Sequence, residues 1–392
     1  MTEPVPSPRA PSPEVQPQPQ LRPVAGFSFG RIFGVPLVVS YAWVFLLVLG
    51  TLVGPSAIRS NVDVSVPVSY LVAFAFVVLV YAAVLAHEAS HVLVAKALGL
   101  RVGRVVLQLL GAVSEILDEP QTPGREFLVA AVGPLTSVLL AGIAAAVGAN
   151  LPDHSVGWLL ATYIAYVNCL TAAFNLLPGM PLDGGRLLRA ALWRITGDRM
   201  RGLLISGWVG RGIAAAAFVV AMVLPQATRG NDTVAMLYLL MVAAFIWINA
   251  SLSIAQARVG AVIPDLSLAS LIRPALTVEP QLPLAEAVRR AREIGARALV
   301  VVDSRDKWSG IVSEAAVQAT PVERQPWISV SDLARPVEAG LVLSPNLSGA
   351  DLMTAVQQTP ATEYLVAGPD GALQGVLARN DLIAVLRAAG VR

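Results

Sequence analysis

The stretch VLAHEASHVLVAKALG, residues 84–99, decides how this chain is read. It closes an apolar run that begins near residue 69, and it carries two histidines and a glutamate into that run. His87 and His91 are four residues apart, so on a helix both imidazoles leave the same face. Such spacing lets two ring nitrogens take adjacent positions on a tetrahedral zinc ion at ~2.0–2.1 Å. Glu88 stands beside the first histidine, placed to take a proton from water rather than to ligate. The chain has 3 histidines in all, and two of them fall in this pattern. The plain alternative is a chance HExxH, or two satisfied core histidines. Against it, unpaired ionisable groups on one turn of a lipid-spanning helix cost several kcal/mol, and a divalent cation offsets that directly.

A zinc site that hydrolyses peptides needs a third protein ligand and one open position. The remaining histidine, His154, falls in a joint predicted on the opposite side of the membrane. The best carboxylate is Asp183 in NLLPGMPLDGGR, residues 175–186. His87 lies roughly 19 residues into its run, or ~27 Å along a helix, and therefore near one surface of the membrane. Asp183 follows the end of a later run that travels in the same direction. Pro178 and Pro181 break the helix there, and Gly184 and Gly185 let the backbone turn back toward the histidines. Irregular backbone at that depth is tolerated where it lines a protein cavity. The alternative for Asp183 is an interfacial helix N-cap.

Working outward, the chain is 392 residues long, 55% hydrophobic and 14% charged, with mean hydropathy +0.66. Soluble domains carry about 25% charged residues, so much of this chain has lipid as its solvent. Six apolar runs approach the ~20 residues that cross a bilayer: about 36–53, 69–97, 127–149, 157–177, 203–225 and 233–255. Arg211 interrupts the fifth, either snorkelling to the interface or marking a later start. Lys96, Arg101, Arg104 and Arg125 surround the joint after the second run, and Arg186, Arg189, Arg194, Arg199 and Arg201 follow the fourth. The opposite joints hold Arg59 and Arg229. The positive-inside rule then predicts both termini in the cytoplasm. Residues 1–25, rich in Pro, Ser and Gln, read as a disordered tail rather than a signal peptide. A single cysteine, Cys169, excludes a disulfide framework and a Cys-based zinc site. It reads as a small buried apolar residue. The formal charge of +2 gives no reason to expect a nucleic-acid partner. Tyr41, Trp43, Trp158 and Trp247 read as interfacial or packing aromatics.

From residue 265 the composition is that of a soluble domain, with a repeat of about 62 to 66 residues. LIRPALTVEP (271–280) is echoed by LARPVEAGLV (333–342), and ALVVVDSRDKWSGIVSEAAV (298–317) by EYLVAGPDGALQGVLARNDL (363–382). Each half reads helix (Leu284–Ile294; Gly349–Gln357), strand, turn, and strand into helix, so two like modules are expected to pack together. The predicted fold is a polytopic α-helical membrane protein of about six transmembrane helices, residues 26–257. A cytoplasmic α/β pair follows at 265–320 and 330–390.

HEASH, the GPL of AAVGPLTS (residues 130–137) and NLLPGMPLDGG together resemble the signature of the site-2 protease family of intramembrane zinc metalloproteases, over roughly residues 30–255. The resemblance implies one zinc ion per chain held by His87, His91 and Asp183, with Glu88 activating water. It also implies cleavage of transmembrane proteins, such as anti-sigma factors or membrane-tethered transcription factors. Where relatives often show asparagine two positions after GPL, this chain has Ser137, so a donor to substrate or oxyanion falls to Ser137, Asn168 or Asn175. For the asparagines, helix–helix hydrogen bonding is an equal alternative. RVGRVVLQLLGAVSEI (101–116) alternates like a strand pair, and a comparable hairpin in the family holds substrate as an added strand.

The C-terminal repeat resembles a tandem pair of CBS domains, regulatory modules that often bind adenine nucleotides and dimerise. Their nucleotide signature is Ser or Thr after a Gly-led strand, then Asp three residues later. GIVSEAA (310–316) keeps Ser313 but has Ala316, and GVLARND (375–381) keeps Asp381 but has Ala378. Each copy retains half, so an adenine-nucleotide sensor and a purely structural or homodimerising module stand level. The joint at 98–126 leaves no room for a PDZ domain. Two other classes remain open: a CBS-gated transporter or channel, and a catalytically silent membrane scaffold.

Overall fold

A computed structural model describes residues 25–108, 111–227, 233–304 and 307–388. The predicted tail before Ala25, and Arg229 in the last joint, lie outside the described residues. The chain divides into two compact units, one ending at Ala250 and one running from Ser251.

The first unit opens with strands β1 (Gly26–Ile32) and β2 (Val35–Ser40), followed by helices α1 (Tyr41–Arg59) and α2 (Val66–Ala97). Strands β3 (Val102–Gln108) and β4 (Gly111–Ile116) come next. Helices α3 (Pro123–Gly148), α4 (Val156–Asn175), α5 (Asp183–Thr196) and α6 (Arg199–Ala227) follow, and α7 (Thr233–Val262) begins in this unit and runs past Ala250 into the next. Six of the seven helices are long and apolar enough to cross a membrane; α5, the shortest, is amphipathic. The chain is a multi-pass membrane protein.

The expected first span, 36–53, needs correction. Val35–Ser40 is a strand, and the helix starts only at Tyr41, where the Ser40 side chain accepts from the Ala42 amide. An apolar β-branched run reads equally as membrane helix or buried strand. Tertiary pairing decides, because β2 lies parallel to β3 with Leu37 opposite Val105. In the order β1-β2-β3-β4, β3 and β4 pair antiparallel, as the alternation of 101–116 suggested, with β4 at the sheet's edge and residues 109 and 110 outside the described residues. Val35, Leu37, Val105 and Leu107 pack with Trp43 and Val92 into one core, which seats the sheet against α2. Trp43 is a packing aromatic: its ring lies over Tyr81, centroids 3.8 Å apart, and Tyr81 donates to the Trp43 carbonyl. Arg211, inside α6, lies against the faces of Trp208 and Trp247, an arrangement that compensates a cation within an apolar span.

The second unit holds β5 (Ile272–Arg273), β6 (Ala275–Val278), α8 (Leu284–Glu293), β7 (Ala298–Val302), β8 (Trp308–Val312), α9 (Glu314–Ala319), α10 (Val330–Leu333) and β9 (Ala334–Pro336). The second copy continues with β10 (Val342–Leu343), α11 (Gly349–Gln358), β11 (Glu363–Ala367), β12 (Leu373–Ala378) and α12 (Arg379–Ala388). Two four-stranded sheets form, β6-β7-β8-β9 and β10-β11-β12-β5. The echoed Arg-Pro segments are exchanged: β5, heading the first copy, pairs with β12 of the second, and β9, heading the second, pairs with β8 of the first. Val300 and Ile311 of one sheet meet Leu365 and Val376 of the other in a shared core. The repeat is thus one folded α/β pair.

Candidate metal centre

The site is assembled by α2, α3, β4 and the start of α5. On α2, His87 and His91 leave one face one turn apart, and both are buried. Their Nε2 atoms are 3.4 Å from each other. Asp183, first residue of α5, brings Oδ2 to 3.2 Å from His87 Nε2 and 3.3 Å from His91 Nε2. Among the described residues this is the group of three donors able to hold a metal ion.

These separations are what a cation needs. Three ligands at ~2.0–2.1 Å on a tetrahedral ion stand ~3.3–3.4 Å apart. The far side of each imidazole is already engaged. His91 Nδ1 lies 2.6 Å from the Val129 carbonyl, and His87 Nδ1 lies 2.9 Å from Ser137 Oγ. A carbonyl only accepts, so His91 carries its proton on Nδ1 and turns the Nε2 lone pair inward. Burial of two imidazoles and a carboxylate at one point, with their acceptor atoms converging, fits a bound divalent ion.

The backbone around Asp183 explains the DGG sequence. A Cβ at Gly184 would run into the Leu176 and Leu177 carbonyls, and one at Gly185 into the backbone of Gly179 and Met180. Only glycine lets α5 start so close against the preceding turn. That turn is pinned to α6 by the Met180 amide donating to the Ser206 carbonyl. The glycine of GPL plays the same part from the other side. A side chain at Gly133 would strike the Nε2 atoms of both histidines.

Glu88 points toward β4, where Ser114 Oγ donates to its Oε2 at 2.8 Å. Ser137 belongs to the cluster, against the back of His87. Asn168 is buried and donates to the Ile164 carbonyl of its own helix, and Asn175 is the last residue of α4. Among the described residues no hydrogen bond joins either asparagine to His87, His91 or Asp183. Sequence reasoning missed Ser114, Gly133 and the Val129 carbonyl. It also missed a buried ion pair, Glu126 on α3 with Arg189 on α5. The signal for that pair was present, since each charge borders apolar sequence and needs a partner.

In the second unit, Ser313 accepts from the Ala316 amide as the N-cap of α9. Asp381 is gripped by Arg273, Nε to Oδ2 at 2.6 Å and Nη2 to Oδ1 at 2.7 Å. The same guanidinium reaches Glu314 at 2.5 Å.

Comparison with known proteins places these features in context. Residues 75–157 and 153–219 match peptidase family M50. A Synechocystis sp. protein whose name assigns it to the zinc metalloproteases is 27% identical over 369 residues, covering 91% of this chain and 94% of that protein. The Mycobacterium tuberculosis protein Rip3, named in the same class, is 39% identical over 207 residues, or 50% of this chain and 49% of its own length. Among solved structures, the site-2 protease of Methanocaldococcus jannaschii aligns over 58% of this chain and 95% of its own, at 22% identity and TM-score 0.42. The CBS domain of a bacterial CNNM/CorC family Mg2+ transporter aligns over 42% of this chain and 99% of its own, at 14% identity and TM-score 0.28.

Proposed function

We propose that this chain, which belongs to the M50 family of site-2 type zinc metalloproteases, cleaves peptide bonds of membrane-embedded proteins under the influence of its C-terminal CBS pair. The observation that carries the reading is the set of three buried donor atoms, His87 Nε2, His91 Nε2 and Asp183 Oδ2, spaced 3.2–3.4 Å apart. These three would hold the zinc ion. Bound there, zinc supplies a Lewis acid that acidifies a water and polarises a carbonyl.

The chain's own residues do the rest. Ser114 fixes one oxygen of Glu88, which leaves Oε1 to take a proton from the attacking water and later to hand one to the departing amine nitrogen. Val129 and Ser137 hold the two imidazoles in orientation. A substrate helix must open its own hydrogen bonds before its carbonyls can be attacked. The outer edge of β4, beside Glu88, offers new partners as an added strand. Val105, Val106 and Leu107 of β3 are buried, so the edge itself is the place to test. Proline at Ala112 and at Val113, one of which turns its N–H outward in an antiparallel ladder, lowers kcat/KM while zinc stays bound.

The excess of basic residues in the joints after α2 and α4 supports cytoplasmic termini, with the site near the cytoplasmic leaflet. Substrates are then membrane-tethered regulators, anti-sigma factors or transcription factors among them. Residues 26–257 would form the protease domain, with CBS modules at 265–320 and 330–390. An adenine nucleotide, or a second copy of the chain, would engage the pair.

The deciding experiment uses Glu88→Gln. The variant keeps stoichiometric zinc, loses cleavage and accumulates bound transmembrane substrates in native membranes, where they are identified by mass spectrometry. A Glu88→Gln protein that still cuts removes the assigned role. A wild-type protein that never binds zinc returns the chain to the transporter or channel class, and one that binds zinc but cleaves nothing returns it to the silent scaffold.

A further inference from the structure

Helix α3 touches each of the three donor residues or its helix, and does so from one face. Glu126, Val129, Gly133 and Ser137 are spaced i, i+3, i+7 and i+11, so they line a single stripe. All four are buried, while Leu135, Val138, Leu139 and Ile143 on the same helix are exposed. Three members act directly on the histidines: Val129 through its carbonyl, Gly133 by close approach, and Ser137 through its hydroxyl. The fourth reaches α5. Glu126 Oε1 receives Arg189 Nε at 2.5 Å, and Arg189 Nη2 donates to the same oxygen. Glu126 is wholly buried, and its second carboxylate oxygen has no hydrogen-bond partner.

Arg189 follows Asp183 by six residues, under two turns or ~9 Å along α5. The turn before α5 is pinned to α6 through the Met180 amide, and the Glu126–Arg189 pair adds the ionic contact that sets α5 against α3. The glycines at 184 and 185 allow a close approach without holding it, and the Ser40-type side-chain cap is lacking at Leu182. Separating the partners of a buried ion pair leaves an uncompensated charge, which is strongly destabilising. Fixing Arg189 therefore fixes the angle at which Asp183 meets the histidines.

We propose that Glu126 and Arg189 are positioning residues for the metal centre: their ion pair locks α5 on α3, so that one helix face aligns the third ligand as well as the first two. The inference rests on the reading of His87, His91 and Asp183 as the zinc ligands. It assigns to the pair a role in metal geometry, beyond holding two helices together.

The test compares wild type with Glu126→Gln and Arg189→Lys, purified as full chains in detergent. Val72→Ala, which loosens the core between α1, α2 and α4, serves as a control for general destabilisation. Two readouts are taken: zinc affinity by competition with a chelator, and the visible spectrum of the Co2+-substituted protein, which reports the ligand set. Glu126→Gln, which acts through α5 and not by touching a ligand, is expected to weaken zinc binding about 10-fold, the lower end of what losing a ligand's direct outer partner costs, and to alter the Co2+ bands. Arg189→Lys, which keeps the charge, falls between it and wild type, and Val72→Ala changes neither readout. A folded Glu126→Gln protein with wild-type affinity and spectrum overturns the inference. Should Glu126→Gln fail to fold, a wild-type spectrum and affinity in Arg189→Lys overturn it equally. If instead wild type binds no zinc, or His91→Ala still does, the underlying ligand reading fails and not the positioning role alone.

Discussion

The two units treat their polar residues in opposite ways. In the membrane unit, His87, His91 and Asp183 turn their acceptor atoms toward one point, and the outward sides of both rings are held by Val129 and Ser137. In the C-terminal unit, Ser313 spends its hydroxyl on the α9 cap, and both oxygens of Asp381 are taken by Arg273. One set converges on a shared point that a cation would fill. The other is satisfied by the chain itself. Convergence of acceptors without mutual neutralisation is expensive in a buried site, so it points to a ligand. Internal satisfaction carries no such implication, and a nucleotide would have to displace Arg273 or bind elsewhere on the pair.

The largest expected effect breaks the convergent set. Asp183→Ala removes the carboxylate that meets both Nε2 atoms. Zinc measured by atomic absorption should fall from one per chain to near zero, with cleavage at background. Stoichiometric zinc in that variant would mean that the three atoms do not form the site.

Gly133→Ala comes next. It adds a Cβ where both imidazoles already stand. Neighbouring rings must shift, and a misplacement of this kind costs on the order of 10²-fold in rate. The expected result is a large fall in kcat with a folded protein by circular dichroism, and a wild-type rate would show that α3 yields there easily.

How much of this was legible in the sequence follows from the range of the interactions. His87, Glu88 and His91 sit within five residues, so helical spacing alone brings them together. Asp183 lies almost a hundred residues on, yet run direction and the proline and glycine residues around it sufficed to select it. For the α3 stripe the sequence signalled that Glu126 and Arg189 each needed a partner but not that they were each other's, because they meet only once α3 and α5 have packed. Ser114 was hidden in a hairpin whose alternation was visible but whose facing element was not. The strand at Val35–Ser40 was misassigned for a related reason, since an apolar β-branched hexapeptide carries no sign of the parallel partner that claims it.

A smaller effect concerns the back of the site. Ser137→Ala removes the partner of His87 Nδ1 and leaves the ligands in place. Zinc affinity should drop ~10- to 100-fold, the range for lost outer-shell partners, and excess zinc should restore activity. If Ser137 instead contacted the reacting carbonyl, kcat would fall and zinc affinity would not.

The smallest effect tests the self-satisfied set. The bidentate hydrogen bonds from Arg273 hold the Asp381 carboxyl below the usual carboxylate range. A lowered folded pKa stabilises the fold above the unfolded value of ~3.9, and that contribution is lost as pH falls through the folded pKa. The pair is partly exposed, at 13% for Arg273 and 32% for Asp381, so about 1 kcal/mol is the expected scale. Asp381→Asn should therefore speed hydrogen exchange in α12 several-fold at pH 7, with the gap from wild type closing in strongly acidic buffer, while zinc content and the α2 amides stay unchanged. If adenine nucleotide slows exchange in wild type but not in Asp381→Asn, Arg273 is a displaceable placeholder, and the two units are more alike than their resting contacts suggest. If nucleotide leaves both unchanged, the carboxylate belongs to the internal framework of the pair, and the contrast with the metal centre stands.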